Sequence, residues 1–282
     1  MATPRPSGGL ATRVVVGIAL AAVAIAAVWA GVIAFTALVS VACLLMSAEW
    51  SVMHGVARGF RVASLVALAA VAGITVYVGA ADALVLLAAS AGVIGLFMRG
   101  FDRKRAFWVA AGLLYCGLPM VALLWLRRLP EGGGGLVIAT FAVVWATDVG
   151  AFFFGRAIGG AKFAPSISPN KTWAGVAGGV AAAAVIVLIP FAVFSYNDPF
   201  AAEQRHALFA VPVVAVLGAV LGSVAIGGDL FESWLKRRAG VKDSGTLLPG
   251  HGGVMDRIDG LVPVAVVVAG AIVVVRAIGA AA

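Results

Sequence analysis

The sequence predicts an all-α polytopic membrane protein, and its composition and the arrangement of its apolar residues support that prediction. Hydrophobic residues make up 63% of the 282 residues, and charged residues only 11%. The mean hydropathy of +1.10 lies well above the range of soluble domains. Apolar residues also form long runs, and about 20 such residues cross a bilayer as a helix. Because the connections between runs are too short to fold independently, we predict one integral membrane domain over residues 1–282.

Nine apolar runs of the chain are candidate transmembrane helices, separated by polar connections. They are 14–29, 31–48, 60–80, 83–98, 106–126, 136–154, 174–195, 208–231 and 259–279. The first two runs are nearly continuous, so one long or re-entrant helix is an alternative there. Run 83–98 is short for a span. The first apolar stretch continues past Trp29, beyond the length of a signal peptide, so we expect it to stay in the protein.

Basic residues are divided unequally between the two faces that nine spans define. One face receives sixteen of the twenty Lys and Arg residues, mainly in 58–61, 99–105, 156–171 and 236–257. The other face receives Arg127, Arg128, Arg205 and Arg276. Since basic loops of membrane proteins face the cytoplasm, we predict a multi-pass protein of the plasma membrane with these four regions on the cytoplasmic side. The net charge of +8 also suits anionic lipid headgroups.

Segment 228–259 concentrates charge in a chain that has little of it. Five of the twelve acidic residues lie there: Asp229, Glu232, Asp243, Asp256 and Asp259. The cations among them are Lys236, Arg237, Arg238, Lys242 and Arg257. Carboxylates can hold a divalent cation that neutralises phosphate, and basic side chains bind phosphate directly. The segment therefore indicates chemistry on phosphate groups at the predicted cytoplasmic face.

Asp229 interrupts an apolar run near the depth of the membrane. An ionisable group costs at least about 2.5 kcal/mol to insert there, so it needs a partner, and a metal ion is the simplest one. If the eighth span continues as a helix past the membrane surface, then Asp229, Glu232, Ser233 and Lys236 share one helix face. An ordinary ion pair between Glu232 and Lys236 is the alternative role for those two side chains.

Asp256 and Asp259 are three residues apart at the predicted start of the last span, so we expect them to share a helix face. Capping of that helix is their alternative role, because a helix N-terminus favours negative charge. The turn before them surrounds a histidine with glycines and a proline: Pro249, Gly250, His251, Gly252 and Gly253. Successive backbone N–H groups in such a turn bind anions, which makes phosphate the expected occupant.

A second polar patch on the same predicted face extends from Asp148 to Thr172. Asp148 lies inside the sixth span and carries the same insertion cost as Asp229. The loop after that span is rich in Gly and Pro. Its donors suit phosphate or a nucleobase and are Arg156, Lys162, Ser166, Ser168, Asn170, Lys171 and Thr172.

Two pairs of glycines four residues apart lie in the seventh and eighth spans. They are Gly175 with Gly179, and Gly218 with Gly222. Small residues at this spacing allow membrane helices to approach closely. We therefore predict close helix packing at both pairs.

The charged segment resembles the signature of a known family. The matching residues are Ser233, Lys236, Arg237, Lys242, Asp243, Pro249, His251, Gly252, Gly253, Asp256, Arg257 and Asp259. Over this stretch the chain is similar to the phosphatidate cytidylyltransferases, also called CDP-diacylglycerol synthases. The block from Asp148 to Gly175 resembles the family's other polar block, except that Ala174 stands where the family usually has Glu or Gln.

The resemblance implies transfer of a cytidylyl group from CTP to phosphatidic acid, giving CDP-diacylglycerol and pyrophosphate for phospholipid biosynthesis. It implies a requirement for Mg²⁺, and leaves open whether a second, monovalent cation takes part. It also implies an all-helical membrane fold that is often dimeric. No nucleic acid partner is expected.

The resemblance also implies roles for individual residues, all within the C-terminal part 136–282. The expected catalytic residues are Asp229, Lys236, Asp256 and Asp259, and the three aspartates are the expected metal ligands, with Ser233 and Asp148 as further ligands or their neighbours. The expected substrate-binding residues are Asp148, Arg156, Lys162, Ser168, Asn170, Lys171, Thr172, Ser233, Arg237, Lys242, Asp243, His251, Gly252, Gly253 and Arg257.

Direct in-line attack by the lipid phosphate on the α-phosphorus of CTP is the expected mechanism, because a phosphomonoester is already a nucleophile near neutral pH. A cytidylyltransferase for another lipid phosphate is the alternative enzyme. An ion-coupled transporter should show related halves, and segment 228–259 has no second copy. A purely structural membrane protein would have no reason to keep Asp148 and Asp229 within spans.

Overall fold

The computed structural model describes residues 10–130, 132–197, 206–247 and 252–281. Its helices are α1 Leu10–Trp29, α2 Val32–Met53, α3 Arg58–Tyr77, α4 Ala80–Arg99, α5 Arg103–Arg127, α6 Gly133–Ile158, α7 Trp173–Asn197, α8 His206–Arg238, α9 Met255–Ile258 and α10 Leu261–Ala281. Its two strands are β1 Lys162–Ala164 and β2 Ser168–Thr172. The predicted all-α membrane fold is confirmed in the described part of the chain.

Eight of the described helices, α2 to α8 and α10, are long and apolar enough to cross a bilayer. Helix α1 adds a shorter apolar stretch, Val15–Trp29. The chain breaks between α1 and α2 at Gly31, whose φ of 107° favours glycine, so two helices replace the alternative of one long helix. The short run 83–98 belongs to a complete helix of 20 residues, α4.

The described residues group into two compact units. Of the described residues, unit 1 contains those up to Ile138, those from Leu235 to Ile258 and those from Ala269 onwards, and unit 2 contains those from Ala139 to Trp234 and from Asp259 to Val268. Helix α8 therefore contributes most of its length to unit 2 and its C-terminal residues to unit 1.

Helix α5 is the most buried span of unit 1. A side chain larger than hydrogen cannot fit at Gly112 or Gly117, because Trp50 of α2 and Leu87 of α4 occupy the space. The helix begins at a capping residue, Asp102, whose Oδ1 accepts the backbone N–H groups of Lys104 and Arg105, both at 3.0 Å. These contacts fix α5 as the packing centre of the unit.

Close packing at the two glycine pairs of unit 2 is confirmed. A Cβ atom at Gly179 would lie 2.8 Å from the carbonyl oxygen of Thr147 in α6. A Cβ atom at Gly218 would lie 2.7 Å from the carbonyl oxygen of Ala183 in α7. Helix α7 is thus packed against both α6 and α8 at the spacing that the sequence predicts.

The region predicted as a loop after the sixth span contains a short antiparallel hairpin. Strand β1 pairs with β2, with Lys162 opposite Thr172 and Ala164 opposite Ser168. Gly159 and Gly160 have positive φ values of 65° and 86° and turn the chain from α6 into β1. Strands this short, with Pro169 in one of them, give too weak a pattern for prediction.

The start of the last span differs from the prediction. Asp256 lies in α9, a single turn of four residues, and Asp259 lies in the turn before α10. The prediction that the two carboxylates share one helix face is therefore wrong. The reason is Pro263, since in a continuous helix its ring would collide with the carbonyl group of Asp259.

Candidate functional site

Both carboxylate oxygens of Asp256 have partners within unit 1. Its Oδ1 accepts a hydrogen bond from Lys236 Nζ at 2.6 Å. Its Oδ2 accepts the backbone N–H groups of Gly253 at 2.7 Å and Ser244 at 3.0 Å. The side chains of Asp256 and Lys236 are only 5% and 13% exposed. The carboxylate is therefore fixed in orientation as well as in position.

The environment of Asp256 favours its ionised form. Burial alone would raise the pKa of this carboxyl group, but Lys236 and the backbone N–H groups of Gly253 and Ser244 outweigh that effect and lower the pKa below its usual value of 3.8. Asp256 is therefore negatively charged at neutral pH. A buried, fixed charge of this kind can bind a cation or orient a lysine.

The family resemblance of the sequence extends to Glu49, which lies in the last turns of α2, but it assigns this residue no role. Its Oε1 accepts the backbone N–H of Val254 at 2.8 Å, and its Oε2 accepts that of Met255 at 2.9 Å. The hydroxyl group of Ser244 also lies 2.9 Å from Oε2. The signal in the sequence is an ionisable residue near the end of an apolar span.

Two residues of the predicted glycine turn before Asp256, Gly252 and Gly253, lie in the described part of the chain, and the backbone N–H of Gly253 donates to Asp256 Oδ2. Gly252 has a φ of 83°, which favours glycine. A Cβ atom at Gly253 would collide with Ser244 Oγ and with the carboxylate of Glu49. Of the predicted turn, Pro249, Gly250 and His251 lie outside the described residues.

Asp229 on α8 belongs to a cleft of about 640 Å³ in unit 2. Its Oδ2 lies 2.6 Å from Lys171 Nζ, and its side chain is 33% exposed. Ser233 Oγ donates to Asp229 Oδ1 at 3.3 Å, which confirms that these two residues share a face of an eighth span extended to Arg238. The carboxylate can therefore be reached from the cleft.

The cleft combines polar and apolar walls. Its lining residues are Asp148, Ala151, Phe152, Gly155, Arg156, Asn170, Lys171, Thr172, Gly175, Val176, Ile226 and Asp229. Thr172 also has a structural role, because its buried Oγ1 accepts the backbone N–H of Gly175 at 3.1 Å and caps α7. A ligand with an anionic group and an apolar part would match both kinds of wall.

The structure places the other predicted site residues separately. Lys162 and Ser168 lie on the hairpin, outside the lining of the cleft. Asp259 Oδ1, in unit 2, accepts the backbone N–H of Gly260 at 2.8 Å. Among the predicted site residues in unit 1, Arg237, Lys242, Asp243 and Arg257 are exposed.

The predicted metal ligands have suitable chemistry but do not form a three-carboxylate cluster. Among the described residues, no group of three or more His, Cys, Asp or Glu side chains is arranged to hold a metal. Asp229 and Ser233 together offer hard oxygen donors of the kind that Mg²⁺ prefers. Asp229 and Asp256 each lie 2.6 Å from a lysine ammonium group, so each already binds positive charge. The donor set around Asp229 therefore fits a divalent cation.

Comparison with known proteins agrees with this chemistry. The sequence model of the Cytidylyltransferase family matches residues 11–275. The chain belongs to the cytidylyltransferase family. A Brucella suis protein named phosphatidate cytidylyltransferase is 38% identical over 261 residues, which cover 91% of this chain and 90% of that protein.

Two further relatives of this cytidylyltransferase have the same name. The Haemophilus influenzae protein is 39% identical over 182 residues, covering 60% of this chain and 61% of the relative. The Pseudomonas aeruginosa protein is 42% identical over 151 residues, covering 53% and 51%. The predicted family resemblance is confirmed.

Proposed function

We propose that this cytidylyltransferase transfers the cytidylyl group of CTP to phosphatidic acid, giving CDP-diacylglycerol and pyrophosphate in phospholipid biosynthesis. The observation that carries the proposal is the cleft of unit 2, where the ion pair of Lys171 and Asp229 lies beside apolar side chains. The Brucella suis relative, matched over 91% of this chain, has the corresponding name.

The two walls of the cleft suit a phospholipid phosphate. Arg156, Asn170 and Lys171 offer donors for phosphate oxygens, and a lysine binds phosphate as a point charge. Phe152 and Ile226 line the same cleft and offer apolar contacts to the glycerol backbone and acyl chains. A membrane-embedded substrate therefore needs to leave the bilayer only with its headgroup.

The proposed metal ligands are Asp229, Asp256 and Asp259, with Ser233 and Asp148 as further oxygen donors. When bound, Mg²⁺ would neutralise negative charge on the phosphates of CTP. Lys171 and Lys236, together with Arg237 and Lys242, would reduce the repulsion between the two anionic reactants. Phosphoryl-type transfer depends mainly on such positioning and charge stabilisation.

The proposed chemical step is one in-line displacement. A non-bridging oxygen of the lipid phosphate attacks the α-phosphorus of CTP, a new P–O bond forms, and the bond to pyrophosphate breaks. The lipid phosphate is ionised near neutral pH and needs no strong base. The cysteines Cys43 and Cys116 are buried within spans and do not offer an alternative nucleophile.

We propose that the active residues face the cytoplasm and that the protein resides in the plasma membrane. CTP is a soluble nucleotide, and the basic loops 99–105, 156–173 and 236–256 have the charge expected of cytoplasmic loops. A homodimer, implied by the family resemblance, stays a prediction.

The test is the formation of CDP-diacylglycerol by the purified protein in detergent. We expect product from CTP and phosphatidic acid in the presence of Mg²⁺, and loss of product when EDTA removes divalent cations. Asp82→Asn, which changes an exposed acid in α4, is the matched control for acid-to-amide variants at the site. Product from a different lipid phosphate, with none from phosphatidic acid, would contradict the proposed substrate.

A further inference from the structure

We propose that Glu49 is a positioning residue that holds the backbone before Asp256 and thereby directs the Asp256 carboxylate to Lys236. Glu49 lies on α2, and Asp256 lies on α9, and both belong to unit 1. The described hydrogen bonds of Glu49 go to Ser244, Val254 and Met255. Its effect on Asp256 passes through the chain segment that precedes α9.

Glu49 binds this segment with both carboxylate oxygens. Oε1 accepts the N–H of Val254 at 2.8 Å, and Oε2 accepts the N–H of Met255 at 2.9 Å. Met255 immediately precedes Asp256, so these hydrogen bonds fix the start of α9. Val254, which follows Glu49 by 205 residues in the sequence, is thereby held against α2.

Ser244 connects Glu49 and Asp256 directly. Its Oγ lies 2.9 Å from Glu49 Oε2 and 3.1 Å from Asp256 Oδ2, while its backbone N–H donates to the same Asp256 oxygen at 3.0 Å. A serine hydroxyl has one hydrogen, so it donates to one carboxylate at a time or is shared between them. The two acids are therefore held around one small polar residue.

The contacts require an acceptor-only group at position 49. The Glu49 carboxylate accepts hydrogen bonds from the N–H groups of Val254 and Met255 and from the hydroxyl group of Ser244. A glutamine would present its NH₂ group to at least one of these donors, and buried donors without an acceptor are costly. Nor does the surrounding space allow adjustment, because a Cβ atom at Gly245 would lie 2.8 Å from Glu49 Oε1.

The first test measures position without using activity. In Glu49→Gln, we expect faster hydrogen exchange at the amides of residues 253–255 and faster modification of Lys236 by an amine-reactive reagent, both followed by mass spectrometry. Asp256→Asn should increase Lys236 modification in the same way, because it removes the negative charge 2.6 Å from the ammonium group. Asp82→Asn should leave both rates unchanged.

Unchanged modification of Lys236 in folded Glu49→Gln would overturn the proposal, whatever the protein catalyses. If Glu49→Gln does not fold, Ser244→Ala provides the second variant. It removes only the hydroxyl that contacts both acids, and we expect it to increase Lys236 modification by a smaller factor. Unchanged modification in folded Ser244→Ala would then overturn the proposal.

The second test rests on the proposed function. For Glu49→Gln we expect kcat to fall at least about tenfold, because a shifted Asp256 would no longer hold Lys236 in the position that the reaction needs. The KM for CTP should change less than about threefold, because Glu49 is not proposed to contact CTP. If folded Glu49→Gln has the kcat of the wild type, Glu49 has no role in catalysis. If the wild type itself is inactive, the proposed function is wrong, and the measurement of Lys236 modification still decides whether Glu49 positions Asp256.

Discussion

Asp229 and Asp256 have the same kind of partner in different surroundings. Each carboxylate lies 2.6 Å from a lysine ammonium group, but Asp229 is 33% exposed and Asp256 only 5%. A ligand in the cleft can reach Asp229 without displacing backbone contacts. Asp256, in contrast, accepts the backbone N–H groups of both Gly253 and Ser244. We therefore expect Asp229 to be the more accessible of the two cation-binding groups.

Replacing Asp229 with asparagine should lower turnover at least about a hundredfold, because the change removes a proposed charged metal ligand while conserving shape. The measurement is CDP-diacylglycerol formation at saturating Mg²⁺, with protein folding checked by thermal unfolding. Glu232→Gln is the comparison on the same helix, and we expect a smaller loss of turnover if Glu232 has a structural role. Near-normal turnover of Asp229→Asn would leave Asp229 only a structural role, through its contacts with Lys171 and Ser233.

The pH dependence of stability should reveal the contacts of Asp256. Because folding lowers its pKa below 3.8, the ionised group stabilises the folded state above that pH. This contribution is lost as the pH falls through the lower, folded-state pKa. We therefore expect the difference in unfolding temperature between wild type and Asp256→Asn to be largest near neutral pH and to shrink below about pH 4. A difference that does not depend on pH would contradict a lowered pKa.

Glu49 shows why the sequence does not reveal the whole site. The local signature before α9 identifies Asp256, Gly252 and Gly253, since these residues are close together in sequence. The partner that holds them is 195 residues from Ser244, and no helical or strand period connects such distant positions. Only the packing of α2 against α9 brings the side chain to its donors.

At the scale of the elements, apolar runs predict where helices exist better than where they end. Helix α8 extends to Arg238, seven residues past its apolar run, because a helix can continue into water once its residues are polar. The last span, in contrast, loses its expected first turn to the proline at position 263. The hairpin was not predicted, since its strands have three and five residues.

Close packing of α7 and α8 can be tested at Gly218. A methyl group there would approach the carbonyl oxygen of Ala183 to 2.7 Å, so Gly218→Ala should destabilise the protein by about 1–3 kcal/mol. Gly227→Ala on the same helix is the control, because nothing lies within 4 Å of the added atom. Thermal unfolding in detergent would compare the two variants. Equal stability of Gly218→Ala and wild type would show that the helices move apart at little cost.

At the scale of the whole molecule, basic residues that the sequence assigns to opposite faces of the membrane can be compared at the helix ends of unit 1. Val56, Met98 and Ala106 pack together, which brings the basic loops 58–61 and 99–105 to one end of the unit. At other helix ends, Arg127 donates to the carbonyl oxygen of Val28 and Arg128 to that of Thr75, both at 2.9 Å. These arginines therefore bind backbone carbonyl groups in the last turns of α1 and α3, where no later N–H of the helix is available.

The proposed reaction requires that the site residues face the cytoplasm, because CTP is a soluble nucleotide. Single cysteines introduced at the exposed positions Lys104, Ala161 and Val241 should react with an impermeant maleimide in inverted vesicles and not in intact cells. Val78→Cys, between α3 and α4, should show the opposite pattern. The native Cys43 and Cys116 are buried within spans and should contribute little background.

The expected pattern follows from charge, since moving basic loops across the membrane during insertion is unfavourable. An odd number of additional spans would reverse every later loop, so the three cytoplasmic positions also test the count of helices between them. Labelling of Val241→Cys from outside intact cells would contradict the topology, because the segment that contains Lys242 and Asp256 would then be separated from cytoplasmic CTP. Labelling of Ala161→Cys alone from outside would require two errors in the count of spans, one between Lys104 and Ala161 and one between Ala161 and Val241.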